Sequence, residues 1–159
     1  MTRCIRFGFV LTLLALGSCG VAREPEHVIV RPDDVPWGPA SPKLPAGAQF
    51  ARISGDPSKP GEPYVFRAKL PDGYRVPPHW HPMDEHVTVI QGVFRLGFGI
   101  TFDAGAIREL PPGSYAMLPK NAPHYNVVKG ETILQFHGIG PYDVTYVNAA
   151  DEASTREQF

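Results

Sequence analysis

Apolar and polar residues alternate along most of this chain in short runs, and glycine and proline cut the runs apart. Alternation with a period of two places one set of side chains on each face of an extended strand. Strands are therefore expected at His27–Val30, Gln49–Ser54, Tyr64–Leu70, Glu85–Gln91, Val93–Ile100, Ser114–Leu118, Tyr125–Val128, Thr132–His137 and Val144–Val147. The punctuation is Pro71-Asp72-Gly73, Gly92, Pro111-Pro112-Gly113, Lys129-Gly130 and Gly138–Pro141. Helical periodicity is almost absent. Many short strands with Gly/Pro turns predict an all-β sandwich or barrel. The polar tail after Asn148 is expected as a short helix or a frayed end.

The N-terminus follows a different pattern. Arg3 and Arg6 precede an apolar run, Phe9–Leu16, broken only by Thr12, and small residues follow in Gly17-Ser18-Cys19-Gly20. This is the order of a secretory signal, and the run is too short to span a bilayer stably. Leu16-Gly17-Ser18-Cys19 resembles a lipobox, which would make Cys19 a lipid anchor; cleavage after Ala22 is the alternative. The expected organisation is a signal over 1–22, a Pro-rich lead-in over 23–63, a barrel core over 64–147 and a tail over 148–159. The expected location is periplasmic, membrane-anchored or secreted. Cys4 leaves with the signal and Cys19 is lost or lipidated, so no disulfide is expected in the mature domain.

Composition narrows the picture further. A length of 159 residues suits one domain, and 43% hydrophobic residues can build a core. The net charge is −1 with no basic run, which argues against nucleic acid as a partner.

The candidate chemistry is concentrated in PPHWHPMDEHVTVIQG, from Pro77 to Gly92, which holds three of the six histidines. Read as one strand, His79, His81 and Glu85 share a parity with Val87 and Val89. The valines would fill a barrel while the polar groups gather near one end; His86 and Trp80 would point the other way. Two imidazole nitrogens and a carboxylate suit a divalent metal ion. A further ligand is expected elsewhere, and His124 supplies it: Gly113 leads into an apolar strand, and a Pro-x-Asn turn presents His124 at the start of the next.

These spacings resemble the cupin superfamily. Gly73-x5-His79-x-His81-x3-Glu85-x6-Gly92 fits its first motif, and Gly113-x5-Pro119-x-Asn121-x2-His124 fits its second, with Asn121 where glycine is usual. The second motif's final asparagine position falls on Val128; Asn126 lies nearby but out of register. The resemblance implies a double-stranded β-helix, a jelly-roll-like barrel of six to eight strands, with one ion held by His79, His81, Glu85 and His124. Iron, manganese, zinc, nickel and copper all occur in the family. The chain is similar to small secreted bacterial cupins and to the cupin part of anti-sigma factors that sense stress.

Three functions follow as expectations. The first is a metal-dependent enzyme on a small organic molecule, an oxygenase ahead of an isomerase or lyase. The second is a non-catalytic periplasmic module that senses or carries a ligand or metal. The third is a dimer-forming domain with a vestigial site, which the intact ligand set disfavours. A homodimer is expected. His86 is assigned to the outer face, and His137 to a strand end rather than to the pocket. Tyr115, Met117, Phe94, Phe98 and Phe136 are assigned to the core or pocket wall. Arg67 faces solvent unless its face turns inward to hold a substrate carboxylate.

Overall fold

The computed structural model describes residues 27–156. The signal, Cys19 and both cleavage alternatives lie outside the described residues. The order is β1 (Gly38–Pro39), β2 (Gln49–Ser54), β3 (Pro63–Leu70), β4 (Arg75–Trp80), β5 (Glu85–Phe98), β6 (Arg108–Leu110), β7 (Tyr115–Leu118), β8 (His124–Ile139), β9 (Thr145–Tyr146) and α1 (Ala149–Arg156). All strand pairings are antiparallel.

Two long strands organise the molecule. β5 and β8 pair from His86↔His137 to Phe98↔His124, with register shifts around Gln91. The other edge of β8 changes partner along its length: its C-terminal half pairs with β3, its N-terminal half with β4. The pairing therefore divides into two layers that share β5 and β8. One holds β1, β2, β3, β8, β5 and β7; the other holds β9, β4, β8, β5 and β6. This is the double-stranded β-helix, an all-β barrel. Tyr64, Phe66, Val87, Val89, Phe94, Leu96 and Leu134 form the buried core between the layers.

Gly92 and Lys129-Gly130, expected as turns between separate strands, are bends inside β5 and β8. Gly92 has φ 74° and Gly130 φ 72°. A side chain on Gly92 would collide with Thr132 Oγ1 and the Glu131 carbonyl, so the two strands cross there on glycine's positive φ and missing Cβ.

Four strand assignments differ from expectation, the two-residue β1 being one that the alternation does not mark. His27–Val30 pairs with nothing among the described residues and is not a strand. β4 was missed because its sequence, Arg-Val-Pro-Pro-His-Trp, carries two prolines. The ladder skips from Val76 to His79, so Pro77 and Pro78 sit where no N–H is needed. β6 is too short, at three residues, to show an alternation.

The lead-in packs onto the barrel. The Tyr74 hydroxyl donates to the Pro45 carbonyl at 2.7 Å, and the Tyr146 hydroxyl to the Lys43 carbonyl at 2.8 Å. The Lys43 ammonium donates to the Asp143 carboxylate at 2.7 Å and 2.8 Å. Leu44, Ala48 and Phe50 pack against the core.

Candidate metal centre

His79, His81 and His124 meet in the barrel interior, with candidate ligand nitrogens all within 4.8 Å of one another. Among the described residues this is the one such cluster of three. Glu85 approaches two of them: one oxygen lies 3.4 Å from His81 Nε2 and the other 3.7 Å from His124 Nε2. All four residues are at most 4% exposed.

The convergence does not come from one strand's parity. His79 is on β4, His81 lies in the turn that follows, and Glu85 opens β5. His79 faces His124 directly in the β4–β8 ladder. Two hydrogen bonds from backbone N–H groups fix the turn before His124 to the turn that holds His81. The Asn121 N–H donates to the His81 carbonyl at 2.9 Å, and the Lys120 N–H donates to the Asp84 carboxylate at 2.8 Å. Asn121 has φ 60°, a left-handed conformation that asparagine tolerates in glycine's stead.

Hydrogen bonds decide which nitrogen each ring offers. His79 Nδ1 faces the Pro77 carbonyl at 2.7 Å, His81 Nδ1 the Asp143 carbonyl at 2.6 Å, and His124 Nδ1 the Ala122 carbonyl at 3.1 Å. Carbonyls only accept, so each Nδ1 carries the hydrogen and each Nε2 keeps a lone pair. Buried His81 Nε2 has no hydrogen-bond partner. Three lone pairs and a carboxylate thus face one another with no donor to reconcile His81 Nε2, an arrangement that a cation satisfies. Histidines that donate Nδ1–H to a carbonyl and present Nε2 are oriented as metal ligands. The three buried histidines can coordinate a metal ion, and the donor set fits a divalent one.

Tyr142 completes the polar cluster, and its role is not marked by the motifs. Its hydroxyl donates to a Glu85 oxygen at 3.1 Å, and its ring stacks on His81 with centroids 4.8 Å apart. Burial and the Glu85 carboxylate push the phenol well above its ordinary pKa, so it stays a neutral donor. Asn126, two residues beyond His124 and on the same face, lines the site although the motif comparison left it out of register. The shared parity was the available signal.

Burial sets the protonation of the cluster. It holds His79 well below 6.5, His124 below it, and His81 down at about 4. It pushes the Glu85 carboxyl up, against the pull of His124 and Tyr142. In metal-free protein the unfolded histidines protonate at about 6.5 while the folded ones resist. Their stabilisation is complete above pH 6.5 and is lost as pH falls through the folded values, about 4 for His81. Glu85 acts oppositely, since the native state binds its proton above the ordinary carboxylate range, and this offsets part of the loss. The urea midpoint of chelated protein should fall between pH 7 and pH 4, with His81 alone contributing on the order of 3 kcal/mol. A midpoint independent of pH across that window would show that the rings are not held neutral.

The remaining candidates lie elsewhere. His86 and His137 stack on the outer face, centroids 4.9 Å apart, and Tyr115 shares a 2.6 Å hydrogen bond with His86 Nδ1. Tyr115, Met117 and Phe98 are exposed rather than core or pocket wall; Phe94 and Phe136 are core. Their strand phases explain it: Met117 and Tyr115 pair with the outward His86 and Thr88. Arg67 faces outward and donates to Gln135 at 3.0 Å, so it does not reach the cavity.

Beside the cluster lies a cavity of about 360 Å³. His79, Glu85, Asn126 and Tyr142 line it with Phe50, Phe66, Leu134 and Phe136, and Ser41, Lys43 and Leu44 contribute from the lead-in. The Pro-rich lead-in is thus part of the wall of the site.

Comparison with known proteins agrees with this architecture. The family model described as the ChrR cupin-like domain matches residues 25–143. No curated protein sequence matches the chain. Among solved structures, the polyketide cyclase RemF of Streptomyces resistomycificus is similar at TM-score 0.62 and 19% identity, covering 77% of this chain and 87% of that one. A candidate acetylacetone dioxygenase from Methylibium petroleiphilum PM1 is similar at TM-score 0.61 and 15% identity, with 82% and 88% covered. A chain in the complex of Rhodobacter sphaeroides SigE with the anti-sigma ChrR is similar at TM-score 0.50 and 23% identity, with 67% and 51% covered.

Proposed function

The chain belongs to the ChrR cupin-like family, and on that premise we propose that it is a metal-dependent enzyme acting on a small organic molecule, with oxygenase chemistry ahead of isomerase or lyase chemistry. His79, His81 and His124 hold the ion through Nε2, and Glu85 adds an anionic oxygen. The observation that carries this reading is the set of three Nδ1–carbonyl bonds, which leaves three Nε2 lone pairs unprotonated beside a carboxylate. A divalent ion bound there would supply Lewis acidity or, if redox-active, an electron path to dioxygen.

The protein's own groups do the rest. Tyr142 holds Glu85 in place and stays protonated, and the buried histidines stay neutral near pH 7. The cavity of about 360 Å³ has room for a substrate beside the cluster; small-molecule sites run from about 300 to 1,000 Å³. The test is oxygen uptake and product analysis with protein loaded in turn with iron, manganese, nickel, copper and zinc, against a library of phenols and enols. Turnover with one metal supports the enzyme. Tight binding with no turnover under any metal favours the second reading, a ligand or metal sensor, for which the similarity to the anti-sigma complex speaks.

We extend the proposal to export, with a lipid anchor at Cys19. Cys19→Ser should then accumulate as unprocessed, unlipidated precursor. Normal release of a soluble protein from that variant would favour cleavage after Ala22. No helix among the described residues is long and apolar enough to cross a membrane; under this proposal acyl chains on Cys19 supply the attachment.

A further inference from the structure

The outer face of the barrel carries a second histidine pair that the proposed function does not use. His86 on β5 and His137 on β8 are direct partners in the ladder, so their side chains leave the sheet on the same side. Their ring centroids lie 4.9 Å apart, and both residues are half-buried. The buried cluster is built on the same arrangement: His79 and His124 are ladder partners on β4 and β8, with centroids 4.3 Å apart.

The backbone under the outer pair is held on both sides. At His86, β5 is bonded to β7 and β8; at His137, β8 is bonded to β5 and β3. Only the rings have to move to meet at one ion. They are nearly parallel, 17° apart, and among the described residues no hydrogen bond holds the His137 ring. Rotation about its side-chain torsions brings one nitrogen of each ring onto a shared ion, at the roughly 2.0–2.1 Å of a zinc–imidazole bond. The Tyr115 hydroxyl lies 2.6 Å from His86 Nδ1. A hydroxyl both donates and accepts, so this bond persists when Nδ1 carries the hydrogen and the Nε2 lone pair is left for the ion. A partner on the other ring nitrogen is what orients a metal-binding histidine. Both histidines line an open groove of about 540 Å³, with room for the ion and its waters.

We propose that His86 and His137 form a second metal site, exposed and exchangeable, that takes copper(II) ahead of nickel and zinc. Two imidazoles without a thiolate or carboxylate suit these ions and not magnesium or calcium, and the Irving–Williams order puts copper(II) first. The site is separate from the buried centre, because Glu85 is buried on the inner face of β5 while the next residue, His86, stands on the outer one. With two protein ligands it holds its ion more weakly than the buried cluster does. Unfolded histidines bind copper too, so the site adds little to the melting temperature.

Calorimetric titration of copper(II) into the native chain, His137→Ala and His124→Ala tests it. The native chain should take a tight ion and a weaker one that dialysis removes. His137→Ala should keep the tight ion and weaken the second by about 100-fold, the loss of the advantage of two linked donors. His124→Ala should keep the weaker ion. A second measurement needs no variant to fold: in the native chain a second equivalent of zinc should shift the ring-proton resonances of His86 and His137 and leave those of His79, His81 and His124 where the first equivalent put them. Copper binding that His137→Ala leaves unchanged in number and affinity would overturn the proposal, and so would a second equivalent of zinc that leaves the His86 and His137 resonances in place. The buried centre fails separately: a native chain whose one ion is the ion lost in His137→Ala would retire the buried metal and leave this site standing.

Discussion

His81→Ala and His124→Ala should each empty the metal site. The native chain should bind about one divalent ion, with His nitrogens at roughly 2.0–2.2 Å, while each variant should lose more than about 100-fold in affinity. The magnitude follows from comparison: disturbing a group that only orients a ligand already costs about 10–100-fold, and these changes remove a donor outright. The two variants test different supports. His81 lies in the β4–β5 turn and is tied to Asp143 through Nδ1, whereas His124 opens β8 opposite His79. Because the ion binds the folded chain alone, chelation should destabilise the native protein by roughly 4 kcal/mol relative to a thousandfold excess of free ion over Kd. The variants should already melt like chelated native protein and gain nothing from added metal. Metal analysis after dialysis and thermal melts with and without chelator check both statements, and full occupancy in both variants would refute the assignment.

Glu85→Gln should behave differently from any histidine variant. The three Nε2 atoms can hold an ion facially without it, and the carboxylate adds charge that moderates the ion's Lewis acidity. Affinity should therefore fall less than in His79→Ala or His124→Ala, while ligand preference and reactivity change more than occupancy explains. Structure adds a reason for care about the carboxylate's place: its oxygens approach His81 and His124, and Tyr142 donates to one of them. Glutamine keeps the acceptor for Tyr142, so the geometry survives and the change in charge is isolated. Titration of metal into the three variants in one buffer decides the ranking. If Glu85→Gln loses metal as completely as the histidine variants, the carboxylate is indispensable to holding the ion. If it binds and reacts like the native chain, the ion is held by three histidines alone.

What made the site legible was residue chemistry at short spacing. His79-x-His81 and Glu85 stand within seven residues, and the glycine and Pro-x-Asn turns around His124 mark the second contribution. The geometric argument from a single strand was still incorrect, because β4 ends at Trp80 and a turn intervenes before Glu85. Proline masked β4: Pro77 and Pro78 read as a breaker, and only the bulged pairing with β8 makes them compatible with a strand. Tyr142 went unseen, and Asn126 was noted only as out of register with the second motif, for another reason. Each matters through what it faces, and neither residue type at those positions is unusual for a strand or a loop.

Local sequence by itself determined the all-β class, most strand positions and the four residues of the cluster, since alternation, turn chemistry and donor type are properties of neighbouring residues. Tertiary structure decided the rest. Which nitrogen each histidine presents depends on the carbonyls of Pro77, Ala122 and Asp143, and the last lies 62 residues from His81. The cavity wall includes lead-in residues, among them Lys43, whose ammonium pairs with Asp143 100 residues away. Backbone carbonyls are the same at every position of a sequence, so which one meets a given imidazole is set by the folded backbone, through the residue two back for His79 and His124 and through long-range packing for His81.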